Sequence, residues 1–334
     1  MNNAGLAPRP TSIEVGFFVR TRLSRRGVHP NMKESVEFFF FRLLNGIARK
    51  LSFRTAGRIG ALLGKLAFAL TGVRKSVTFD NLEKAFPELG RKEIRNIARG
   101  AYVNYGIAVV EMMWSAGQSL EVLSGTVHFA NPHVMEQALA QRKGAIFVSG
   151  HFGSWELLVP ALGHEFKRPV TAIAQRQRNR QIDALLQVHR FRFGNSTIPM
   201  GVSARRVIAA LQEEKIVTML GDQSGPKESV FIDFFGRPSA THRGAAAFSL
   251  KTGAPIVMGF LVRKSDGTYE FILEEVDRTG LDQYTEENIV ELTQRHTAIL
   301  EKYIRLHPDH WLWMHKRWKH TEYYESQKAI QEKF

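Results

Sequence analysis

A chain of 334 residues with an apolar share of 44% can bury the core of one large domain, or of a domain with an appendage, which excludes a small disulfide-held scaffold. With no cysteine there can be no disulfide or thiolate metal site, and no His-Glu-x-x-His run or other tight ligand cluster occurs, so a metal-free, cofactor-free protein of a reducing compartment is expected. Forty-six Lys and Arg against 32 Asp and Glu leave a net charge of +14, which points to an anionic partner such as nucleic acid, a lipid headgroup or an acidic protein.

Residues 1–34 are rich in Pro, Gly, Asn and Arg and contain no apolar run resembling a cleavable signal, so they read as a basic flexible arm. From 35 to 73 the composition turns to Phe, Leu, Ile, Ala and Gly. Arg42, Arg49, Lys50, Arg54, Arg58 and Lys65 recur there too often for an ordinary spanning helix, and no uncharged run of about 18 residues exists. Arg42, Asn45 and Arg49 share one helical face, opposite Phe40, Leu43, Leu44, Ile47 and Leu51. That segregation predicts membrane-associated amphipathic helices lying in an interface. The remaining catalytic domain, 74–334, is expected to fold without them. Gly57, Gly60, Gly64 and Lys65 have a misplaced first glycine and Leu66 where a phosphate loop needs a hydroxyl, so helix packing explains them better.

Residues 74–142 read as helices, with Asp80 as a cap, Pro87 as a breaker and a long segment from Arg91 to Ala116. Next comes the stretch Gly144-Ala-Ile-Phe-Val-Ser-Gly-His-Phe-Gly-Ser-Trp-Glu156, which reads as strand, sharp turn and helix start. Residues 145–148 are too few for a helix and too apolar for a surface loop. Gly150 and Gly153 free the turn, and Ser154 is placed to cap a helix from Trp155 to His164. His151 then projects from the carboxyl end of a buried strand, the edge where open α/β sheets bind ligands. Two residues five apart on a continuous helix lie about 140° round from each other and do not meet. With His151 in the turn and Glu156 on the first helical turn, the carboxylate can instead reach back to one ring nitrogen and leave the other free as a base. This is the base-plus-orienter half of a hydrolase triad without a side-chain nucleophile, so the attacking group belongs to the substrate. No Gly-x-Ser-x-Gly elbow surrounds Ser149 or Ser154.

Beyond this turn strands and helices alternate: strand 169–174, helix 181–193, strand 197–200, helix 204–213, strand 216–220. Strands 230–235, 256–262 and 269–275 follow, with helices over 244–251 and 286–305. The fold class is therefore α/β, a three-layer αβα arrangement with a mainly parallel central sheet. Arg176 and Asp222 sit just past apolar strands, and Arg243 opens a helix within Thr241-His-Arg-Gly244. Arg176 is a candidate to hold an anionic substrate or a developing oxyanion, and Asp222 to pair with it or fix a hydroxyl.

The ordered set Asn81-Leu-Glu-Lys-Ala-Phe-Pro87, His151-Phe-Gly-Ser-Trp-Glu156, Arg176-Gln-Arg-Asn179, Gly221-Asp-Gln223, Phe234-Phe-Gly-Arg-Pro238 and Trp311-Leu-Trp-Met-His-Lys-Arg-Trp-Lys319 resembles the bacterial lipid A biosynthesis acyltransferases, which include the lauroyl and myristoyl (late) enzymes. The resemblance implies transfer of a fatty acyl chain from acyl carrier protein to a hydroxyl of a lipid A precursor at the cytoplasmic face of the inner membrane. It also marks His151 and Glu156 as the catalytic pair, with Arg176 and Asp222 as further active-site residues; Asn179 and Arg243 join them as candidates for substrate binding or oxyanion support. Two bulky side chains in Thr241-His-Arg-Gly244 depart from the small polar ones of the family. The family also resembles enzymes acting on mannosylated phosphatidylinositol, which leaves another membrane lipid open as acceptor.

The residues fit this chemistry on their own terms. Deprotonating a hydroxyl needs a neutral imidazole, thioester attack needs oxyanion donors, and a basic protein suits an acidic carrier and a phosphorylated lipid. Phe152, Trp155, Phe231, Phe234 and Phe235 are candidates to line an acyl cavity. A nucleic-acid-binding protein is supported by charge alone, and a non-enzymatic membrane scaffold by residues 36–72 and the closing tryptophans; neither accounts for the His151 turn. The run from Trp311 to Lys319 equally suits a single-strand platform or a membrane interface.

Overall fold

The computed structural model describes residues 31–201 and 204–331, so the arm read over residues 1–34 lies outside the described residues up to residue 30. Helices α1 (Met32–Ala48), α2 (Phe53–Leu70), α3 (Lys75–Ala85), α4 (Arg91–Ser115) and α5 (Leu120–Ser124) come first. The α/β part runs β1 (Val127–Phe129), α6 (His133–Ala140), β2 (Ala145–Ser149), α7 (Leu158–Glu165), β3 (Val170–Ala174), α8 (Arg180–Arg190), β4 (Ser196–Pro199), α9 (Ala204–Gln212) and β5 (Ile216–Leu220). It closes with β6 (Val230–Phe234), β7 (Arg237–Thr241), α10 (Gly244–Thr252), β8 (Ile256–Arg263), β9 (Tyr269–Glu275), α11 (Glu286–Leu306) and α12 (Thr321–Gln331).

Seven strands form one sheet in the order β1-β9-β8-β2-β5-β3-β4, parallel throughout except for the β8–β9 pair. Parallel pairing demands helical crossovers, and these cover both faces as the alternation of elements predicts. All five residues of the central strand β2 are buried. Phe147 joins a core with Leu157, Leu162 and Phe271 on one side, while Ile146 and Val148 join Val207, Leu250 and Leu300 on the other. Period two along a fully buried strand thus feeds two cores at once.

The separate β6–β7 hairpin turns through Phe235 and Gly236, both at positive φ (57° and 70°), the geometry of a two-residue type I′ turn. Phenylalanine is costly there. Its N–H donates to Glu301 at 2.6 Å, and its ring lies 4.4 Å from the Arg305 guanidinium. Strand β7 escapes the sequence pattern because Gly236 and Pro238 read as loop, and the three-residue β1 was absorbed into a helical stretch. Asp80 lies inside α3, pairing with Lys84, and does not cap it.

The glycines of α2 are packing glycines. Gly57, Gly60 and Gly64 are buried, and a Cβ at Gly60 would stand 2.6 Å from the Cα of Ile107 on α4. Close packing thus crosses residue 73, joining α2 to α4. Because α2 spends its small face on α4, its large residues point outwards: Leu62, Leu63, Leu66 and Leu70 are exposed, as are Phe39, Phe40, Leu43, Leu44 and Ile47 of α1. No single described helix is long and apolar enough to cross a membrane; α2 and α3 reach that length only together, across a 95° bend.

Candidate active site

The turn after β2 is shaped by two close approaches. At Gly150 a Cβ would lie 3.2 Å from the Cβ of Asp222, and Gly153, at φ +56°, has its missing side chain filled by the backbone oxygen of Leu261. Only glycine admits both the conformation and the contact at 153. Strands β2 and β5 pair in register up to Ser149 and Leu220, so the residues just beyond them, His151 and Asp222, emerge side by side at the carboxyl edge.

Asp222 accepts three hydrogen bonds: from His151 Nδ1 (2.8 Å), from the backbone N–H of His151 (2.9 Å) and from the indole Nε1 of Trp311 (2.9 Å). A carboxylate partner keeps the proton on Nδ1 and leaves Nε2 with its lone pair. Asp222 is 2% exposed and the His151 side chain 20%, so the ring bridges a buried anion and an open side. Burial works against the imidazolium, but the charge and hydrogen bond of Asp222, with a smaller contribution from Glu156, outweigh it and hold the His151 pKa above its ordinary value. Burial likewise works against the Asp222 carboxylate; the His151 charge and the three donors hold its pKa below the usual range.

The carboxylate hydrogen-bonded to the His151 ring is that of Asp222, and Glu156 makes its hydrogen bond elsewhere. Glu156 sits on a short 3₁₀ turn, Trp155–Leu157, that precedes α7, and its Oε1 accepts from Arg190 of α8 at 2.8 Å. The helical segment starts at Trp155 as expected, but its first turn is 3₁₀ and the Ser154 side chain does not cap it. Its hydroxyl donates to Glu111 of α4 and lies 2.8 Å from the Tyr269 hydroxyl. Glu111, fully buried, also accepts from Arg263 (2.5 Å) and Tyr269 (2.8 Å). Burial raises the Glu111 pKa against the opposing effect of Arg263 and these donors. This network fixes the segment just past His151 to α4 and the sheet, and removing one member of such a buried pair costs about 3–5 kcal/mol.

The other sequence candidates are spread along the same edge. Arg176 is exposed just past β3. Asn179 is buried and structural: its side-chain oxygen accepts from the backbone of Gln181 (3.1 Å) at the start of α8, and its Nδ2 donates to the Glu34 carbonyl of α1 at 2.8 Å. Arg243 precedes α10 and pairs with Glu286 at 2.6 Å. Asp222 does not pair with Arg176. Among the described residues no three His, Asp or Glu side chains converge as a metal ion requires.

Next to Asp222, from Gly221 inwards, lies a mostly apolar cavity of about 390 Å³ lined by Val148, Ile173, Ile198, Val207, Met219 and Phe248. The aromatic residues expected to line an acyl site are elsewhere. Phe152 packs on Phe260, Phe234 and Phe235 pack among Trp311, Trp313 and Trp318, and Phe231 stacks on Tyr324; Trp155 lies edge-on to His151. The three closing tryptophans are buried. Arg317 among them is buried too, donating to the Ala240 carbonyl (2.8 Å) and Thr241 Oγ1 (2.6 Å), and burial lowers its pKa to about 10. Nothing local tied Trp311 to Asp222 or joined the Glu111 network, because the partners lie 43 to 158 residues apart.

Residues 29–320 match the family model described as bacterial lipid A biosynthesis acyltransferase. The chain belongs to that family. Similar proteins include a lipid A biosynthesis lauroyltransferase of Escherichia coli (strain K12), 27% identical over 78% of this chain and 84% of its own length. A lipid A biosynthesis palmitoleoyltransferase of the same organism is 28% identical over the same shares. A phosphatidylinositol mannoside acyltransferase of Mycobacterium tuberculosis is 23% identical over 55% of this chain and 57% of its own. The chain is thus an acyltransferase, and its His151–Asp222 pair stands beside an apolar cavity.

Proposed function

We propose that this acyltransferase moves a fatty acyl chain from acyl carrier protein to a hydroxyl of a lipid A precursor, with His151 as general base. The observation that carries this reading is the His151–Asp222 pair at the carboxyl edge of the sheet, with Gly221, the residue before Asp222, in the lining of the apolar cavity. The cavity takes the acyl chain and presents the thioester carbonyl at the sheet edge. Nε2 accepts the proton of the acceptor hydroxyl as its oxygen attacks; the tetrahedral intermediate then expels the thiolate, which takes that proton back from His151. Asp222 stabilises the imidazolium between these steps. Glu156, held by Arg190, adds negative charge nearby, and exposed Arg176 is available to the substrate's anionic groups. The similarity to a phosphatidylinositol mannoside acyltransferase keeps another membrane glycolipid as a second acceptor. Purified enzyme given acylated carrier and either lipid tests the reading by the product's mass; no product with either acceptor overturns it.

The carrier as donor is supported by arginines at the cavity rim. Arg205 and Arg206 are exposed on the first turn of α9, beside Ala204 and Val207 of the cavity lining, and form no ion pair with a described residue. Double replacement by glutamate is expected to raise KM for the acylated carrier roughly tenfold, and rising salt should do the same to the unaltered enzyme. KM for a short acyl-pantetheine thioester should not move. Equal KM changes for both donors would contradict this.

The inner membrane's cytoplasmic leaflet as location is supported by the outward leucines and phenylalanines of α1 and α2, ringed by Arg42, Arg54, Arg58 and Lys65. Each basic residue near an anionic bilayer contributes roughly 1 kcal/mol, and the buried apolar area adds to it. Replacing Leu62 and Leu66 with aspartate should reduce co-sedimentation with anionic liposomes several-fold while the melting temperature changes little, since both side chains are exposed. Unchanged liposome binding would contradict it.

A further inference from the structure

The carboxy-terminal segment is stitched to the catalytic turn. Leu312 donates its N–H to the His151 carbonyl (3.0 Å), Gly153 donates to the His310 carbonyl (2.9 Å), and Phe152 and Trp311 form an antiparallel bridge between them. From this strap the Trp311 indole reaches Asp222 Oδ2, the same oxygen that accepts the His151 backbone N–H, so that Oδ1 alone is left for the imidazole. The ring itself is 2% exposed and is held edge-on by Phe234 and Trp313, with centroids 5.8 and 4.6 Å away.

We propose that Trp311 is a positioning residue: by donating its N–H to Oδ2 it fixes the Asp222 carboxylate with Oδ1 towards His151 and tempers how strongly Nε2 takes up a proton. An indole donor draws carboxylate charge away from the imidazole and blocks rotation of the carboxyl group. Without it the negative charge concentrates on the oxygen facing His151, and the imidazolium is stabilised further. The other groups that bear on the pair are Glu156 on its 3₁₀ turn, Tyr105 of α4, and His310, His315 and Arg317 on the carboxy-terminal segment. None of these is removed by changing the indole alone. The inference rests on His151 being the base.

The test replaces Trp311 with β-(3-benzothienyl)alanine, which keeps the bicyclic shape but has sulfur in place of N–H, alongside Trp311→Phe and the control Trp313→Phe. Trp313 loses a comparable buried bond, to the Pro308 carbonyl at 2.6 Å, without touching Asp222. The expected result at position 311 is a rise of about 0.5 to 1 pH unit in the acid limb of kcat/KM, with the same rise in the His151 titration followed by NMR, and a roughly tenfold lower kcat. Trp313→Phe should leave both titrations in place. An active 311 variant whose His151 titration does not move, or equal movement in Trp313→Phe, overturns the proposal. Full turnover in His151→Ala would instead remove the general-base reading beneath it.

Discussion

His151→Ala is expected to lower kcat by about 100- to 10,000-fold, the usual cost of losing a general base, while circular dichroism stays that of a folded protein and the thermal midpoint falls because buried Asp222 loses one of its three donors. The fold should tolerate the change because the structural bonds of residue 151 are its backbone ones, to Leu312 and Asp222, and alanine keeps its N–H and C=O. The side chain hydrogen-bonds to Asp222, lies edge-on to Trp155 and is about 20% exposed. A well-folded alanine variant with full turnover would contradict the mechanism.

Asp222→Asn should have the second-largest effect, roughly 1,000-fold in kcat, because an amide can present its NH₂ to Nδ1 and so favour the wrong tautomer of His151. The pH dependence separates orientation from charge. A base must be neutral to act, so activity rises as pH increases through the His151 pKa. Asp222 raises that pKa, so the acid limb should lie above about 6.5 in the unaltered enzyme and shift downwards in Asp222→Asn, where burial acts without the compensating charge. Glu156→Gln should cost less and move the limb down less, since its carboxylate is engaged by Arg190. If Glu156→Gln were the more damaging of the two, the assignment of Asp222 as orienter would be wrong.

Six of the seven sheet strands, all but β1, were legible because they announce themselves locally: apolar runs of about five residues bounded by Gly, Pro or charge, separated by helical periodicity. The position of His151 followed from the same logic, since a residue just past a buried strand must lie at the carboxyl edge. Its partner did not follow. The five-residue offset to Glu156 is visible in the chain, whereas the pairing with Asp222 depends on β5 lying next to β2, a strand order that no local pattern encodes. The aromatic residues misled for a related reason. Phe152 adjoins His151 in sequence, yet it packs on Phe260, Phe234 packs on Trp311, and the cavity is lined mostly by aliphatic positions of β2, β3, β4 and β5 together with α9 and α10. In α1 the segregation of apolar and basic positions was readable. Which face packs inwards was decided by the glycine stripe of α2 and by Asn45 and Ala48 of α1, which are buried while the phenylalanines and leucines are not.

The most direct measurement of the central claim is mass spectrometry of lipid extracts from cells lacking this gene, complemented with either the unaltered protein or His151→Ala. The account predicts a lipid A species heavier by one fatty acyl chain with the unaltered protein, absent with His151→Ala at equal protein levels. Identical lipid profiles for the two complemented strains would contradict it.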